Sequence, residues 1–325
     1  MTDPGTVRVS VVDVGTNSTR LLVAEVDAQG AVTELDRRTT VTRLGQGVDT
    51  THELAPEAVA RVFATLGQYR AAIDEHGAGR HTVAVLTSAV RDARNGDDFA
   101  ERVRERFGLD ARTIAGEEEA RLSFLGATRD RATGDGSGPV VVIDVGGGST
   151  EFIVGEGGGD VRFFRSTQVG VVRHTERHLM TDPTARSELE ALAADARRSY
   201  LAALPEDVRR EPVHAVAVAG TATSVAAIDQ DLEPYDPARV HGHRVGVATL
   251  QAQLDRLAAM PNAARRKVRG LHPDRAPTIV AGVVLLLEAL GAFGLEEFEA
   301  SEHDILRGAA LDLWARAADP GGDPA

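Results

Sequence analysis

The sequence contains no cysteine among its 325 residues. A thiol nucleophile, a disulfide framework and a cysteine-ligated zinc or iron–sulfur centre are therefore excluded. Lysine is almost absent as well, since Lys267 is the only one, and it lies in the segment Arg-Arg-Lys-Val-Arg. A Walker A loop needs lysine between glycine and serine or threonine, so P-loop nucleotide chemistry is also excluded.

Long apolar runs and a basic leader are lacking too. The longest apolar stretch, residues 279–287, is too short to span a bilayer and predicts a buried helix, so we expect no membrane partner. The first residues carry no basic segment, and we expect a cytoplasmic protein without a targeting signal. The formal charge of −13 disfavours binding to duplex nucleic acid but not to a small anion, for which local donors decide.

An internal repeat organises what is present. The segment 9–25 reads VSVVDVGTNSTRLLVAE and the segment 140–156 reads VVVIDVGGGSTEFIVGE, with nine of the seventeen positions identical. Each copy has the pattern of a strand, a tight glycine turn and a second strand. A dinucleotide-binding fold would instead need glycines that open a helix, so the repeat disfavours that fold.

The rest of each half alternates predicted helices and strands, which indicates an α/β protein of two duplicated lobes facing each other across a cleft. Turn-forming composition at 130–139 predicts the boundary between them. We therefore expect a first lobe at 1–129, a second lobe at 130–302, a final helix at 303–318 that packs back toward the first lobe, and a frayed tail at 319–325. Apolar helices predicted at 276–290 and 304–317 fit either a homodimer interface or the core.

The glycine turns carry the candidate chemistry. Consecutive glycines let a backbone approach a ligand closely and direct several N–H groups toward one anion. Asp144 at the strand end supplies a carboxylate suited to Mg²⁺, and Glu151 lies just past the turn. The plainer interpretation is a hairpin in which Asp144 caps the turn. Two copies of the same turn favour phosphate binding.

Two further segments have both a functional and a structural interpretation. The segment Gly220-Thr-Ala-Thr223 follows a buried strand and opens a helix, so it is either an anion site or an ordinary connection. The triplet 117–119 consists of glutamates in a first helical turn, where acids offset the helix dipole. Because successive residues point about 100° apart, at most one of the three faces a cleft, where it could act as a general base.

Together these motifs resemble the exopolyphosphatase/guanosine pentaphosphate phosphatase (Ppx/GppA) family. The resemblance rests on two phosphate motifs, on three shorter stretches and on the glycine turn at 220. They are Asp13-Val-Gly-Thr-Asn-Ser-Thr-Arg20, Asp144-Val-Gly-Gly-Gly-Ser-Thr-Glu151, Thr87-Ser-Ala-Val-Arg91-Asp-Ala-Arg-Asn95, Ala115-Gly-Glu-Glu-Glu-Ala-Arg-Leu122 and Gly170-Val-Val-Arg173. Ala115 replaces the serine that is usual in the family. The likeness extends to about Leu311 and is similar to the short two-domain branch, which lacks an additional C-terminal helical domain.

The resemblance implies the actin-like ATPase superfamily fold, with two ribonuclease H-like lobes around a central cleft. It also implies site residues, position by position. Glu119, directly before Ala-Arg-Leu, takes the role of catalytic base. Asp13, Asp144 and Glu151 take the metal- and water-positioning roles. The expected phosphate contacts are Asn17, Ser18, Arg20, Arg91, Asn95, Gly146, Gly147, Gly148, Ser149, Arg173, Gly220, Thr221 and Arg266. Arg266 belongs to a basic segment, 265–269, that either extends a track for a polyanion or is a solvated helix face.

The activity implied by the resemblance is release of terminal phosphate from inorganic polyphosphate, with Mg²⁺ or another divalent cation. A close alternative is removal of the 5′-terminal phosphate of guanosine pentaphosphate. A sugar-kinase-like ATP enzyme and a non-catalytic sensor of nucleotide or polyphosphate are further alternatives from other classes. The helix-opening Glu119 motif favours water over a sugar hydroxyl as the acceptor. The role of His303 stays open at this point.

Overall fold

A computed structural model describes residues 6–130, 138–156 and 161–318. The chain divides into two compact units, Met1–Gly126 with Ile305–Ala325 and Ala127–Asp304. Each unit is built around one sheet. The loop expected at 130–139 lies largely outside the described residues, and the tail expected at 319–325 lies wholly outside them.

Eleven strands occur among the described residues. In chain order they are β1 (Val7–Val14), β2 (Ser18–Val26), β3 (Val32–Val41), β4 (Thr82–Leu86), β5 (Ala111–Thr113), β6 (Val140–Val145), β7 (Thr150–Gly155), β8 (Val161–Thr167), β9 (His214–Val218), β10 (Arg244–Gly246) and β11 (Glu297–Ala300).

Fourteen α-helices accompany the strands in the same part of the chain, together with a 3-10 turn at Pro273–Arg275. The helices are α1 (Val48–Thr51), α2 (Pro56–Glu75), α3 (Ser88–Asp92), α4 (Gly96–Phe107), α5 (Gly116–Thr128), α6 (Val171–His178), α7 (Arg186–Ala203), α8 (Glu206–Arg210), α9 (Ala219–Asp229), α10 (Pro237–Val240), α11 (Val247–Ala258), α12 (Asn262–Arg265), α13 (Ile279–Phe293) and α14 (Ile305–Ala318).

The two sheets repeat one topology. In unit 1 the strand order is β3-β2-β1-β4-β5, and in unit 2 it is β10-β11-β9-β6-β7-β8. In both units an antiparallel three-strand meander joins parallel strands, β4 and β5 in one case and β9 and β11 in the other. The strands β8-β7-β6-β9-β11 therefore match β3-β2-β1-β4-β5, and β10 is an addition. The predicted α/β class and the predicted duplication are confirmed.

The apolar runs that predicted the hairpins form strands buried on both faces. Every residue of β6 and of β7 is buried, as is typical of sheets covered by helices on both sides. By contrast, the strand β3 was not expected from the sequence. Its residues are VTELDRRTTV, and none of them is fully buried, because β3 lies at the edge of its sheet.

The helix α13 lies in the core of unit 2. Eleven of its residues are buried, and it packs against α7, α11, α6 and α9. The core of unit 2 therefore accounts for the apolar sequence of this helix. The helix α14 packs against β1 and β2 in unit 1, where Ile305 and Leu306 join a cluster with Val9 and Leu22.

Among the described residues, no helix is both long and apolar enough to cross a membrane.

Candidate active site

The two glycine turns close in the same way. In the first turn the N–H of Gly15 donates to the carbonyl oxygen of Ser18 at 3.0 Å. In the second, the N–H of Gly146 donates to the carbonyl oxygen of Ser149 at 2.9 Å. Each bond links the end of one strand to the start of the next, so the repeat reproduces the geometry of the turn as well as its sequence.

The carbonyl groups of the first turn are held by the segment that follows β3. The N–H of Gly45 donates to the carbonyl oxygen of Thr16 at 2.9 Å, and that of Arg43 donates to Asn17 at 2.8 Å. In a trans peptide the N–H points opposite to the C=O. The N–H groups of Asn17 and Ser18 are therefore directed away from this segment, side by side.

The second turn is held by the first turn of α6 instead. The N–H of Val171 donates to Gly146 O at 3.0 Å, and that of Val172 donates to Gly147 O at 2.8 Å. The peptide N–H groups of Gly147 and Gly148 consequently point away from α6. Both turns thus present two neighbouring donors in one direction, the arrangement expected of an anion-binding nest.

Close contact between α6 and the second turn depends on Gly170. A Cβ at Gly170 would lie 2.4 Å from the carbonyl carbon of Gly148 and 2.5 Å from Gly147 O. Arg173, an expected phosphate contact, donates from Nε to Gly148 O at 3.0 Å and from Nη2 to Gln168 Oε1 at 2.9 Å. Its guanidinium therefore supports the turn. Ser149, by contrast, is almost fully buried at 2% exposure.

Two buried carboxylates lie side by side next to the second turn. Asp144 and Glu151 are register partners on β6 and β7, and opposite residues of an antiparallel pair share one face. Ser166 is the next register partner, on β8, and its hydroxyl donates to Glu151 Oε1 at 2.6 Å. A pair of carboxylates with a hydroxyl beside it is the all-oxygen donor set that Mg²⁺ takes. The residues present therefore fit a divalent cation.

The equivalent position in unit 1 has different chemistry. Asp13 is the counterpart of Asp144, but its register partner is Arg20, where unit 2 has Glu151. Arg20 donates from Nε to Asp13 Oδ2 at 2.8 Å, and its Nη2 lies 2.7 Å from the same oxygen. The cationic partner already balances the charge of Asp13. Arg20, an expected phosphate contact, therefore forms an ion pair with Asp13, an expected metal ligand.

The three glutamates that open α5 differ in burial. Glu117 is exposed and Glu118 is half-buried, whereas Glu119 is buried. Glu119 accepts a hydrogen bond at Oε2 from Arg91 Nη1 at 3.1 Å. The same nitrogen donates to the carbonyl oxygen of Ile114 at 2.9 Å. The expected base and one expected phosphate contact are therefore direct partners.

Asn95, another expected phosphate contact, is engaged with the backbone. Its Oδ1 accepts from the N–H of Leu54 at 2.8 Å, and its Nδ2 donates to the carbonyl oxygen of Leu54 at 3.1 Å. This two-point contact joins the start of α4 to the segment before α2. The side-chain amide thus orders unit 1.

The third glycine turn begins with backbone strain. Ala219 has a left-handed φ of 65°, which side-chain-bearing residues seldom adopt. Thr221 packs against α13 so closely that a Cβ at Gly282 would lie 2.5 Å from its hydroxyl oxygen. Arg275, which the sequence analysis did not single out, donates from Nη1 to Gly220 O at 2.6 Å. Arg275 is 55 positions from Gly220 in the sequence, so only the folded structure shows that the two residues are in contact.

The basic segment 265–269 is largely matched by acids. Arg265 is buried, and its Nη2 lies 2.7 Å from Asp182 Oδ1. Arg266, the expected polyanion contact, lies 3.7 Å from Asp274 Oδ1. The ring of His303, whose role the sequence left open, contacts that of His241 with centroids 4.1 Å apart and ring planes tilted by 34°.

The chain is similar to phosphatases along nearly its whole length. A model described as the Ppx/GppA phosphatase family matches residues 22–315. Exopolyphosphatase 2 of Mycobacterium tuberculosis is 38% identical over 94% of this chain and 98% of its own length. The crystal structure of an exopolyphosphatase-like protein has a TM-score of 0.89 at 33% identity, covering 97% of this chain and 99% of that one. The Ppx/GppA family member of Aquifex aeolicus has a TM-score of 0.78 at 28% identity, covering 98% and 100%.

Proposed function

The chain belongs to the Ppx/GppA phosphatase family, and from this premise we propose that it hydrolyses the terminal phosphoanhydride bond of inorganic polyphosphate. The likeness to exopolyphosphatase 2 supports that substrate class. The observation that carries the proposal is the repeated glycine turn. In each unit the carbonyl groups of the turn accept hydrogen bonds from a neighbouring segment, and two peptide N–H groups therefore point away from that segment. Fixed N–H donors stabilise the charge on phosphoryl oxygens without reorganising during the reaction.

In the proposed reaction the oxygen of a water molecule attacks the terminal phosphorus. The bond from that phosphorus to the bridging oxygen breaks, and the shortened polyphosphate leaves with the electron pair. Glu119 orients the water and accepts its proton, and Arg91 holds the Glu119 carboxylate in place. Phosphoryl transfer depends mainly on positioning and charge stabilisation, and this small set of groups can supply both.

Asp144 and Glu151 are the residues that would hold a divalent cation, with Ser166 orienting the Glu151 carboxylate. A bound cation neutralises the negative charge of the phosphoryl oxygens. We assign Asp13 a different role, because Arg20 occupies the position that Glu151 has in the other copy. In this proposal the ion pair holds the first glycine turn at the end of its strand.

The test is phosphate release by the purified full-length chain with Mg²⁺, given polyphosphate, guanosine pentaphosphate and ATP in parallel. We expect stepwise release of single phosphates from polyphosphate, and slower release from ATP. Guanosine pentaphosphate ends in the same anhydride, so guanosine tetraphosphate as the preferred product would support the alternative substrate. Absence of phosphate release from all three substrates would overturn the proposed function.

A further inference from the structure

Unit 2 contains a second group of potential metal ligands, which includes histidines and is distinct from the carboxylates of Asp144 and Glu151. His174 and His178 are one helical turn apart on α6, and Asp195 lies on α7. One ligand atom of each residue lies within 4.8 Å of those of the other two. Asp195 Oδ2 is 3.0 Å from His178 Nε2 and 3.6 Å from His174 Nε2. Tetrahedral ligands of zinc are about 3.4 Å apart, so these spacings need little adjustment.

His174 is the member of this group that most needs a partner. Its side chain is 1% exposed, and Nε2 is buried without a hydrogen bond among the described residues. Buried polar atoms are nearly always satisfied, and an exception indicates a water or an ion at that place. The nearest charged oxygen is Asp195 Oδ2, the one that also contacts His178.

The other ring nitrogen of His174 has the partner that a metal ligand requires. Nδ1 lies 3.2 Å from the carbonyl oxygen of Gly170 and accepts from the N–H of the same residue at 3.3 Å in its unprotonated form. Metal binding at Nε2 selects the other tautomer, in which Nδ1 carries the proton and donates to that carbonyl oxygen. Metal-binding imidazoles characteristically donate their second N–H to a backbone carbonyl or a carboxylate.

We propose that His174, His178 and Asp195 bind one divalent transition-metal ion of the zinc class. Two imidazoles and one carboxylate are a common ligand set for Zn²⁺, whereas Mg²⁺ prefers oxygen ligands only. The side chains of His178 and Asp195 are 16% and 23% exposed, so water can complete the coordination. Because the first turn of α6 holds the second glycine turn, metal binding links that turn to α7.

Two arginines compete for the carboxylate of this site. Arg198 Nη2 lies 3.0 Å from Asp195 Oδ1, so it uses the oxygen that does not face the histidines. Arg177 Nη1 lies 3.6 Å from Oδ2, the oxygen that the metal needs. The Arg177 side chain is 43% exposed and can turn into solvent. Its removal should therefore tighten metal binding.

The test is Co²⁺ and Zn²⁺ binding by the full-length chain in the absence of substrate. We expect Co²⁺ to give the visible absorption of a low-coordinate nitrogen–oxygen site that the ligand variants lack, and Zn²⁺ to raise the melting temperature of the parent chain more than that of those variants. His178→Gln and Asp195→Asn should each weaken binding by at least about tenfold, and Arg177→Gln should strengthen it. Far-ultraviolet circular dichroism verifies that each variant is folded.

The matched control is His243→Gln. His243 Nε2 lies 2.8 Å from Asp229 Oδ2, so the two residues form a histidine–aspartate pair. Among the described residues, this pair is not part of a group of three potential metal ligands. This variant should bind both metals like the parent chain. Absence of a Co²⁺ spectrum and of a Zn²⁺ shift in the parent chain would overturn the proposal, as would parental affinity in both His178→Gln and Asp195→Asn. Neither result bears on polyphosphate hydrolysis, which is measured separately.

Discussion

Nη1 of Arg91 lies 3.1 Å from Oε2 of Glu119 and also donates to the carbonyl oxygen of Ile114, just before α5. One guanidinium nitrogen thus ties the buried acid of the triplet to the loop from which its helix starts. An attacking water gains most from a carboxylate whose position is fixed before the reaction. The contact therefore supports the proposal that Glu119 acts on the attacking water, because Arg91 fixes the position of its carboxylate.

Replacing Glu119 with glutamine should lower kcat and leave KM nearly unchanged. Glutamine keeps an oxygen that can accept from Arg91, but it cannot take up the proton of water. General-base assistance is worth about 10²–10⁴-fold, and we expect a loss of that size in steady-state phosphate release from polyphosphate. Glu117→Gln is the control, because Glu117 lies in the same helical turn but is exposed. Equal losses in both variants, or none in Glu119→Gln, would remove Glu119 from this role.

Replacing Arg91 with lysine should reduce kcat although the charge is retained. An ammonium group lacks the planar fork of the guanidinium and reaches both oxygen partners less well. The double variant Arg91→Lys, Glu119→Gln separates the two roles of Arg91. If Arg91 acts by positioning Glu119, the losses in kcat will not multiply. If they multiply and KM rises in Arg91→Lys alone, Arg91 contacts phosphate instead.

The sequence was sufficient to predict the duplicated core because the repeat fixes local geometry. Val-rich runs on both sides of Gly15 and Gly146 form the hairpins, and their turns close through equivalent hydrogen bonds. The edge strand β3 escaped prediction, since its charged residues meet solvent instead of a core. Helix starts shifted where backbone geometry overrode composition. The helix predicted at 276–290 runs from Ile279 to Phe293, and a 3-10 turn at Pro273–Arg275 precedes it.

Pairings between distant residues could not be predicted from the motifs. The family resemblance implies that Asn95 contacts phosphate, and only the fold shows that its side-chain amide binds the backbone of Leu54. The same holds for Arg275, which reaches Gly220 across 55 positions. Burial likewise distinguishes Glu119 from Glu117. Helical periodicity predicts that at most one glutamate of the triplet faces a cleft, but it does not say which one. The site assignments themselves stay predictions that the variants test.

Removing the hydroxyl of Ser166 should raise the Mg²⁺ concentration needed for half-maximal activity. Its bond to Glu151 Oε1 orients a carboxylate that we expect to bind the cation, and loss of such a supporting group typically weakens metal affinity about 10–100-fold. Ser166→Ala should therefore recover activity at high Mg²⁺, whereas Glu151→Gln should recover little. The measurement is phosphate release over a Mg²⁺ titration.

Glu156→Gln serves as the control for this series. Glu156 follows β7 directly, and its side chain is 61% exposed and paired with Arg162. Its Mg²⁺ requirement should equal that of the parent chain. An unchanged Mg²⁺ requirement in Glu151→Gln would exclude that carboxylate as a cation ligand.

Substituting Gly170 with alanine should disturb the second glycine turn through sterics alone. The φ of Gly170 is −145°, which any residue can adopt, but the new Cβ would meet three turn atoms closer than van der Waals contact permits. Overpacking of this kind costs about 1–3 kcal/mol in the free energy of unfolding, and the displaced turn should also lower kcat. Gly291→Ala is the control, because a Cβ there meets nothing within 4 Å, and alanine should stabilise α13 by about 1 kcal/mol. Urea unfolding and phosphate release on both variants distinguish a loss caused by the turn from a general effect of adding a methyl group. A Gly170→Ala chain with parental stability and turnover would show that the turn tolerates a shift of α6, and the directed N–H groups would then not depend on that contact.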